Sequence, residues 1–556
     1  MKSLVLEIWA QRLGCTFEGA TRALVFVAVA ATAAVSLGCS AMASDDAGAS
    51  SFVPGSGFGA GGSSNTNVAL GGSQDFGAFR ALVAAGQIPF PGDFDAAGFF
   101  AEHHLPLPTP DCGNRVCLQA MLGVMGNLMN GANCTMLELG LNSPLAADPG
   151  ARPPLSLSVV VDVSGSMNTD DRIGFVRSGL ELLIDGMRDG DRLALTTYSD
   201  NARTDFPMAD VALNRAQVRG IVQGLQAVGG TNLYAGLEAG YQEVLRNYDS
   251  GRQNRVILLS DGQPTAGITG EPAIIDMSHG YNSDGVGLTT IGLGTSFNAQ
   301  LMRNLALQAD GNFYFLENSG AVNEVFTEEL SFFTVPIAFD LTLELRTGSQ
   351  YAFGAAHGSP FWTNTSEGGR LEVPSVFLAH RESDTDVTDE GGRRGGGSAL
   401  IVEVMPKLLT DDGSDTSNAD VAVIDVSYRE PGTNAIVTDQ VTVNYPFAPW
   451  ITPETGFFQS ADIAMVQKSF VMLNIYVGIE RACGAFHGSG GGLPQPSEAI
   501  AELDRLIAAV EDYNVEVADT DIASDLELLN QLRQVMLQSI APPEPTPIPQ
   551  NPWPAD

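Results

Sequence analysis

Leu157-Ser-Val-Val-Val-Asp162-Val-Ser164-Gly-Ser166 joins two signals in one short stretch. Its first half is a nearly continuous apolar run, the pattern of a strand covered on both faces in a parallel sheet. Its second half sets short oxygen side chains directly after that strand. A helix follows, with Ile173, Val176, Leu180, Leu183, Ile184 and Met187 at amphipathic spacing. The alternation then repeats. Asp191 to Tyr198 reads as a strand, Val218, Ile221, Val222 and Leu225 as a helix, and Leu233 to Leu245 as another. Arg255-Val-Ile-Leu-Leu-Ser-Asp261 and Gly287-Leu-Thr-Thr-Ile-Gly-Leu293 are further buried strands. Leu301 to Ala309, Phe313 to Leu316 and Val322 to Phe333 carry the pattern on. Strand and helix in alternation over 155–335 predict a doubly wound α/β domain.

The flanks read differently. After Pro336, Phe339 to Leu345, Leu371 to Leu378, Ala399 to Val404, Val421 to Tyr428 and Ala435 to Tyr445 are strand-like, and Glu430-Pro-Gly-Thr-Asn434 is a turn between the last two. Residues 336–450 are therefore expected to form an antiparallel β domain, of sandwich type. Cys134-Thr-Met-Leu-Glu-Leu-Gly-Leu alternates like a half-buried strand and would join that sheet, so the α/β domain is inserted next to the antiparallel domain. Residues 74–154 hold that strand and two short helices, one around Phe76, Phe79, Leu82 and Val83 and one from Phe94 to Glu102. Residues 451–540 return to helical spacing, and 541–556 is a Pro-rich tail expected to be disordered.

The N-terminus reads as an export signal over 1–38. Lys2, Arg12 and Arg22 precede an apolar run from Ala23 to Leu37, short for a membrane-spanning helix. The run ends in Ser36-Leu37-Gly38-Cys39, which resembles the lipobox of bacterial lipoproteins and makes Cys39 the expected lipidation site. Residues 39–73, rich in Gly, Ser, Ala and Asn, read as a flexible tether. The formal net charge of −37 repels phosphate backbones and argues against a nucleic-acid partner. In an oxidising compartment Cys112, Cys117, Cys134 and Cys483 are expected to pair, Cys112 with Cys117 and Cys134 with Cys483. His103-His104 reads as surface, and the acidic groups Asp384, Asp386, Asp389 and Asp411, Asp412, Asp415 as solvated loops that do not fit a twelve-residue calcium loop.

Three segments carry chemistry: Asp162-Val-Ser164-Gly-Ser166, Gly229-Gly230-Thr231 ahead of a helix, and Ser260-Asp261-Gly262 after a buried strand. In an open α/β sheet all three fall at the carboxyl edge, where ligands bind. Two carboxylates and three hydroxyls make a compact, weakly charged oxygen site suited to a hard cation such as Mg²⁺. Neutral hydroxyls leave the ion electrophilic, so an incoming carboxylate could complete its shell.

These segments resemble the von Willebrand factor type A family and its metal-ion-dependent adhesion site, an Asp-x-Ser-x-Ser followed by a Thr and then an Asp. The resemblance covers about Leu155 to Phe333 and implies a Rossmann-like domain. It implies that Asp162, Ser164, Ser166, Thr231 and Asp261 hold Mg²⁺ (or Ca²⁺ or Mn²⁺), with the two aspartates acting mainly through water. The flanks, including Gln74-Asp-Phe-Gly-Ala-Phe-Arg80-Ala-Leu-Val-Ala-Ala-Gly-Gln87, resemble a group of bacterial lipoproteins carrying such domains and labelled calcium-activated chloride channel-like.

The expected function is a non-enzymatic cell-envelope protein. It would be an exported lipoprotein, outer-membrane or periplasm-facing and membrane-bound through its lipid. It would bind a protein ligand that presents an exposed Asp or Glu to the metal. The alternatives are a structural envelope protein whose metal only stiffens loops, and a metal-dependent hydrolase. The hydrolase is disfavoured because no His or Lys lies in the motif segments to serve as a base.

Overall fold

The computed structural model describes residues 65–128, 133–145, 153–294, 297–308, 311–329, 336–381, 383–386, 393–407, 420–444, 457–458, 463–488 and 492–540. The export signal, Cys39, the first part of the tether, the Pro-rich tail, and Asp389, Asp411, Asp412 and Asp415 lie outside these residues.

The described chain begins with β1 (Thr66–Ala69) and β2 (Gly72–Ser73), in a stretch expected to be tether. Glycine and serine give it that composition, but Val68 and Leu70 are buried, and the Asn67 amide donates to the carbonyls of Leu105 and Gly396 at 3.0 Å each. Backbone pairing holds the segment where side-chain hydrophobicity gives little sign of it. Two short helices follow, α1 (Gly77–Ala84) and α2 (Ala96–Ala101), the second capped by Asp95, whose carboxylate accepts from Gly98 N. Next comes the antiparallel hairpin β3 (Cys117–Gly126) and β4 (Asn133–Ser143).

The α/β domain comprises β5 (Leu155–Asp162), α3 (Arg172–Gly186), β6 (Arg192–Tyr198), β7 (Ala202–Asp210), α4 (Val211–Gln223), α5 (Leu233–Arg246), β8 (Gln253–Ser260), α6 (Glu271–Ser283), β9 (Gly287–Leu293), α7 (Ala299–Leu307), β10 (Asn312–Leu316) and α8 (Ser319–Asn323). Its sheet runs β2-β10-β9-β8-β5-β6-β7 and is parallel except for β7 on β6. Strand period decides which helix each residue meets. Leu157, Val159 and Val161 pack with Ile173, Val176 and Leu180 of α3 on one face, while Val160 packs with Leu237, Tyr241 and Val244 of α5 on the other. A Cβ at Gly240 would lie 2.2 Å from Val160 Cγ2, so glycine is what lets α5 approach β5 this closely.

The remaining strands are β11 (Pro336–Thr347), β12 (Tyr351–His357), β13 (Trp362–Asn364), β14 (Gly368–Leu378), β15 (Ala399–Pro406), β16 (Asp420–Arg429), β17 (Ile436–Asn444) and β18 (Phe457–Phe458). With β1, β3 and β4 they form one antiparallel system of 11 strands, ordered β12-β15-β4-β1-β14-β11-β16-β17, with β3 on β4, β13 on β14 and β18 on β3. β1 turns the corner, pairing Thr66 with Ser143 of β4 and Val68 with Leu378 of β14. The two halves share one core, in which Leu137, Leu139 and Val402 meet Leu343, Val373 and Ile424. The α/β domain is thus inserted between β4 and β11 of this sheet.

Three helices follow among the described residues: α9 (Ile463–His487), α10 (Pro496–Val517) and α11 (Thr520–Ile540). They cover the second face of β3, β4 and β15, where Met121, Met136 and Ile401 join Phe470, Leu503 and Leu529. Among the described residues, no helix is long and apolar enough to cross a membrane. Glu138 of β4 points into this helical layer. It is fully buried, neither oxygen meets a hydrogen-bond partner among the described residues, and burial pushes its carboxyl up to about 8, the nearby Ser469 hydroxyl opposing.

An ion cluster lies where α1, α2, the segment from 381 to 394, α8 and α11 meet. Arg394 holds Asp75 at 2.9 Å, contacts Glu324, and donates to the Phe315 carbonyl at 2.9 Å. Arg393 reaches Asp525 at 3.1 Å and Glu102 at 3.4 Å; Arg381 and Lys468 hold Asp521 at 2.9 and 2.8 Å. His103 belongs here and not to the surface: it is 1 % exposed, with Nε2 2.6 Å from Asp525. Burial pushes the Glu102 carboxyl up, but Arg80 and Arg393 outweigh it and bring it down to about 2. Asp384 is likewise not a free loop acid, since its carboxylate accepts from Thr520 N at 3.2 Å.

Cys112 and Cys117 are joined by a disulfide, whereas Cys483 is a buried free thiol. The Cys134–Cys483 bridge is therefore not formed. Helix geometry explains the correction. The hairpin meets α9 at Asn474, where Leu128 N donates to Oδ1 at 3.0 Å. Cys483 lies further along that helix by roughly 13 Å at 1.5 Å per residue, towards Phe90, whose ring stacks on His487. A disulfide needs Cα atoms within ~7 Å.

Candidate metal centre

The three motif segments meet at the carboxyl edge of the α/β sheet. β5 delivers Asp162, the turn after it carries Ser164 and Ser166, the loop before α5 carries Thr231, and the loop after β8 carries Asp261. Backbone bonds lash these loops together. Gly165 N donates to Gly229 O at 3.0 Å, Val228 N to Val163 O at 2.7 Å, and Thr265 N to Thr231 O at 3.0 Å. Asn232 caps α5 by accepting from Ala235 N at 3.2 Å, which fixes the residue before it, Thr231.

The side chains form one connected set. Ser164 Oγ lies 3.0 Å from Ser166 Oγ, and Ser166 Oγ donates to Asp261 Oδ1 at 2.8 Å. A Cβ at Gly262 would stand 3.7 Å from both Ser166 Oγ and Thr231 Oγ1, so those hydroxyls flank one small space that glycine leaves open. Asp162 accepts from Ser164 N at 2.8 Å through Oδ1, and from Ser260 Oγ at 3.0 Å and Tyr198 OH at 3.3 Å through Oδ2. Asp162 and Asp261 are fully buried, while Ser166 is exposed and opens the site to solvent. Burial pushes the Asp162 carboxyl up to about 6, and the nearby Asp261 adds to the rise.

The donor set fits a small hard cation. Adjacent oxygens of an octahedral Mg²⁺ shell with bonds of about 2.1 Å stand roughly 3 Å apart, and the spacings from Ser164 to Ser166 and from Ser166 to Asp261 are of that size. All oxygens belong to hydroxyl or carboxylate groups, which suits Mg²⁺, Ca²⁺ or Mn²⁺ over softer ions. Among the described residues no cluster of three or more His, Cys, Asp or Glu is arranged to hold a metal, so the hydroxyls are indispensable to any ion bound here.

Sequence reasoning missed one residue of the site. Arg172, at the start of α3, donates from Nη1 to Asp261 Oδ2 at 2.8 Å and is itself buried. An arginine opening a helix looks like any surface arginine in the sequence. Nothing local marks it.

The von Willebrand factor type A domain family matches residues 157–328. Among curated proteins, the uncharacterized protein YfbK of Escherichia coli (strain K12) is 30 % identical over 194 residues, which is 35 % of this chain and 34 % of that protein. Calcium-activated chloride channel regulator 1 of Bos taurus is 25 % identical over 191 residues, 32 % of this chain and 20 % of the other. These alignments span about a third and a fifth of the relatives' own lengths. Among solved structures, the von Willebrand factor type A protein from Catenulispora acidiphila superposes with a TM-score of 0.46 at 13 % identity, covering 75 % of this chain and 89 % of that one. Residues 157–328 of this chain are a von Willebrand factor type A domain.

Proposed function

We propose that this protein binds a protein partner through a divalent cation, Mg²⁺ in the first instance, held by Asp162, Ser164, Ser166, Thr231 and Asp261, with a partner carboxylate completing the shell. The observation that carries this is the composition of the edge itself. Two buried carboxylates supply the charge, three neutral hydroxyls leave the ion electrophilic, and the exposed Ser166 leaves a side open to an incoming ligand. The surroundings favour a polypeptide ligand. Val228, on the loop that carries Thr231, is 66 % exposed, and Ile268, on the loop after Asp261, is 46 % exposed. Apolar side chains beside a charged anchor suit an acidic residue in a folded partner better than a free anion. The ion supplies electrostatic attraction for the carboxylate, the backbone ties among the three loops hold the donors in register, and Asp162 stays oriented by Ser260 and Tyr198.

The protein acts as an exported envelope lipoprotein in this reading, with Cys39 as the lipidated residue; the apolar run ending in Leu37-Gly38-Cys39 supports it. It is not an enzyme in this reading. The residues that surround the donors are Ser, Thr, Asp, Gly, Tyr198 and the ion-paired Arg172, a poor set for a general base near neutrality.

The test is capture of partners from an envelope extract by wild-type protein and by Asp162→Ala, in Mg²⁺ and in EDTA. Mg²⁺-dependent capture that Asp162→Ala loses is the expected result. Equal capture by both proteins in EDTA would replace metal-bridged binding with the reading in which the ion only stiffens loops.

A further inference from the structure

Arg172 is placed against ordinary helix preferences. It is the first residue of α3, where the helix dipole disfavours a cation. The two residues before it, Asp170 and Asp171, both adopt left-handed backbone conformations, with φ of 51° and 55°. Such conformations cost energy in non-glycine residues and persist where the surroundings demand them. They turn the side chain of Arg172 back towards the sheet edge. There Nη1 meets Asp261 Oδ2 at 2.8 Å, and the exposed Asp170 stands 3.7 Å from Nη2. The guanidinium lies on Gly294, the residue after β9, where a Cβ would sit 2.3 Å from Arg172 Cζ; that glycine has φ of +68°. The residue is 7 % exposed, and its Nε is buried with no hydrogen-bond partner among the described residues.

This geometry fits neither a surface ion pair nor a fully satisfied structural arginine. One donor finds no partner among the described residues, and two strained residues are spent to hold a positive charge against a carboxylate of the candidate metal site. Asp261 stands between the two charges: its Oδ2 accepts from the guanidinium, and its Oδ1 accepts from Ser166 Oγ, one of the hydroxyls that would surround a cation. Two like charges would then share one carboxylate in a partly buried site, where repulsion is poorly screened.

Resting on the metal-site reading above, we propose that Arg172 is a built-in counter-cation that holds down the affinity of the site for divalent ions, so that occupancy follows the surrounding Mg²⁺ concentration instead of being permanent. With Arg172 in place, the two aspartates and the arginine leave one net negative charge to attract the ion. Without it there are two.

The test is calorimetric titration of the full chain with Mg²⁺ and Mn²⁺, using wild type, Arg172→Met, Arg172→Gln and Arg172→Lys, with Asp162→Ala as the non-binding control and thermal melts in EDTA to establish folding. Arg172→Gln keeps a hydrogen-bond donor near Asp261 without its charge, and covers the case in which Arg172→Met fails to fold. The expected result is binding tighter by about tenfold or more in the Met and Gln variants, on the scale of removing one like charge from a partly buried site, with Arg172→Lys within about threefold of wild type. Equal affinity in wild type, Met and Gln overturns the counter-cation while leaving the metal site standing. Weaker binding in both neutral variants also overturns it, and makes Arg172 a residue that positions Asp261. If neither wild type nor any variant binds either ion, the metal-site reading fails and takes this inference with it.

Discussion

The molecule gathers carboxylates and guanidinium groups in two places, and it treats them in opposite ways. At the ion cluster, Asp75, Glu102, Glu324, Asp521 and Asp525 are matched by Arg80, Arg381, Arg393, Arg394 and Lys468, and the charges of several chain segments cancel inside the protein. At the sheet edge, Asp162 and Asp261 are set among hydroxyls with one arginine between them, and Ser166 leads out to solvent. Full internal matching joins segments distant in sequence. Incomplete matching beside an opening leaves charge available for something that arrives from outside. Burial alone does not separate the two, since Asp75 and Asp162 are both buried.

The sharpest way to break this contrast is to remove Arg394. Arg394→Met would leave Asp75 and Glu324 buried without their cation, and the expected loss is about 3–5 kcal/mol in chemical denaturation. The combined variant Arg394→Met, Asp75→Asn, Glu324→Gln should recover much of that loss, because no uncompensated charge then remains. If the single variant melts like wild type, the cluster does not hold these segments together.

Glu138 is a third case, a buried carboxyl whose oxygens find no hydrogen-bond partner among the described residues. Its folded-state pKa of about 8 lies above the ordinary value of 4.5, so the folded protein binds the proton more tightly than the unfolded chain. Its contribution is therefore fully present below about pH 4.5 and is lost as pH rises towards 8. Glu138→Gln should remove that loss, giving a variant more stable than wild type by roughly 4–5 kcal/mol at pH 8.5 and little different at pH 4.5. Denaturation curves of both proteins at the two pH values check it; a difference that does not change with pH would contradict the assignment.

The smallest stability effect is expected at the metal centre. Asp162→Ala in EDTA should shift unfolding by no more than about 1 kcal/mol, since it removes a carboxyl that burial already disfavours as an anion. The same substitution should abolish Mg²⁺ uptake in calorimetry. A large loss of stability in EDTA would place Asp162 with the structural charges and undo the comparison.

These two charge systems also differ in how far the sequence reveals them. The candidate metal centre is legible because each oxygen side chain stands in a short segment at a strand end, and the strands announce themselves by unbroken runs such as Val159 to Val161. The ion cluster is not, because Asp75, Glu102, Glu324, Arg394 and Asp525 are scattered from one end of the described chain to the other and each looks like an ordinary surface charge. The same limit hid Arg172, whose role depends on a turn of the backbone at Asp170 and Asp171. It hid β7, which is only half-buried, and it hid β1 and β2, which stand in a stretch whose glycine and serine content reads as linker. The failed pairing of Cys134 with Cys483 has the same root: an even count of thiols says nothing about distance along a helix.

The two residues of β2 carry a consequence for anyone who would study the domain alone. β10, Asn312–Leu316, is buried at every position, and it is screened on its outer side by β2, with Gly72 N bonded to Gly311 O and Gln74 N to Phe313 O at 3.0 Å each. Those two residues lie well outside 157–328. A fragment cut to those limits would carry Asn-Phe-Tyr-Phe-Leu as a bare edge strand, apolar, free of charge and with open backbone donors and acceptors, which is a template for strands of other molecules to add to. The N-terminal segment therefore works as a guard rail against self-association, and a soluble fragment should keep it attached.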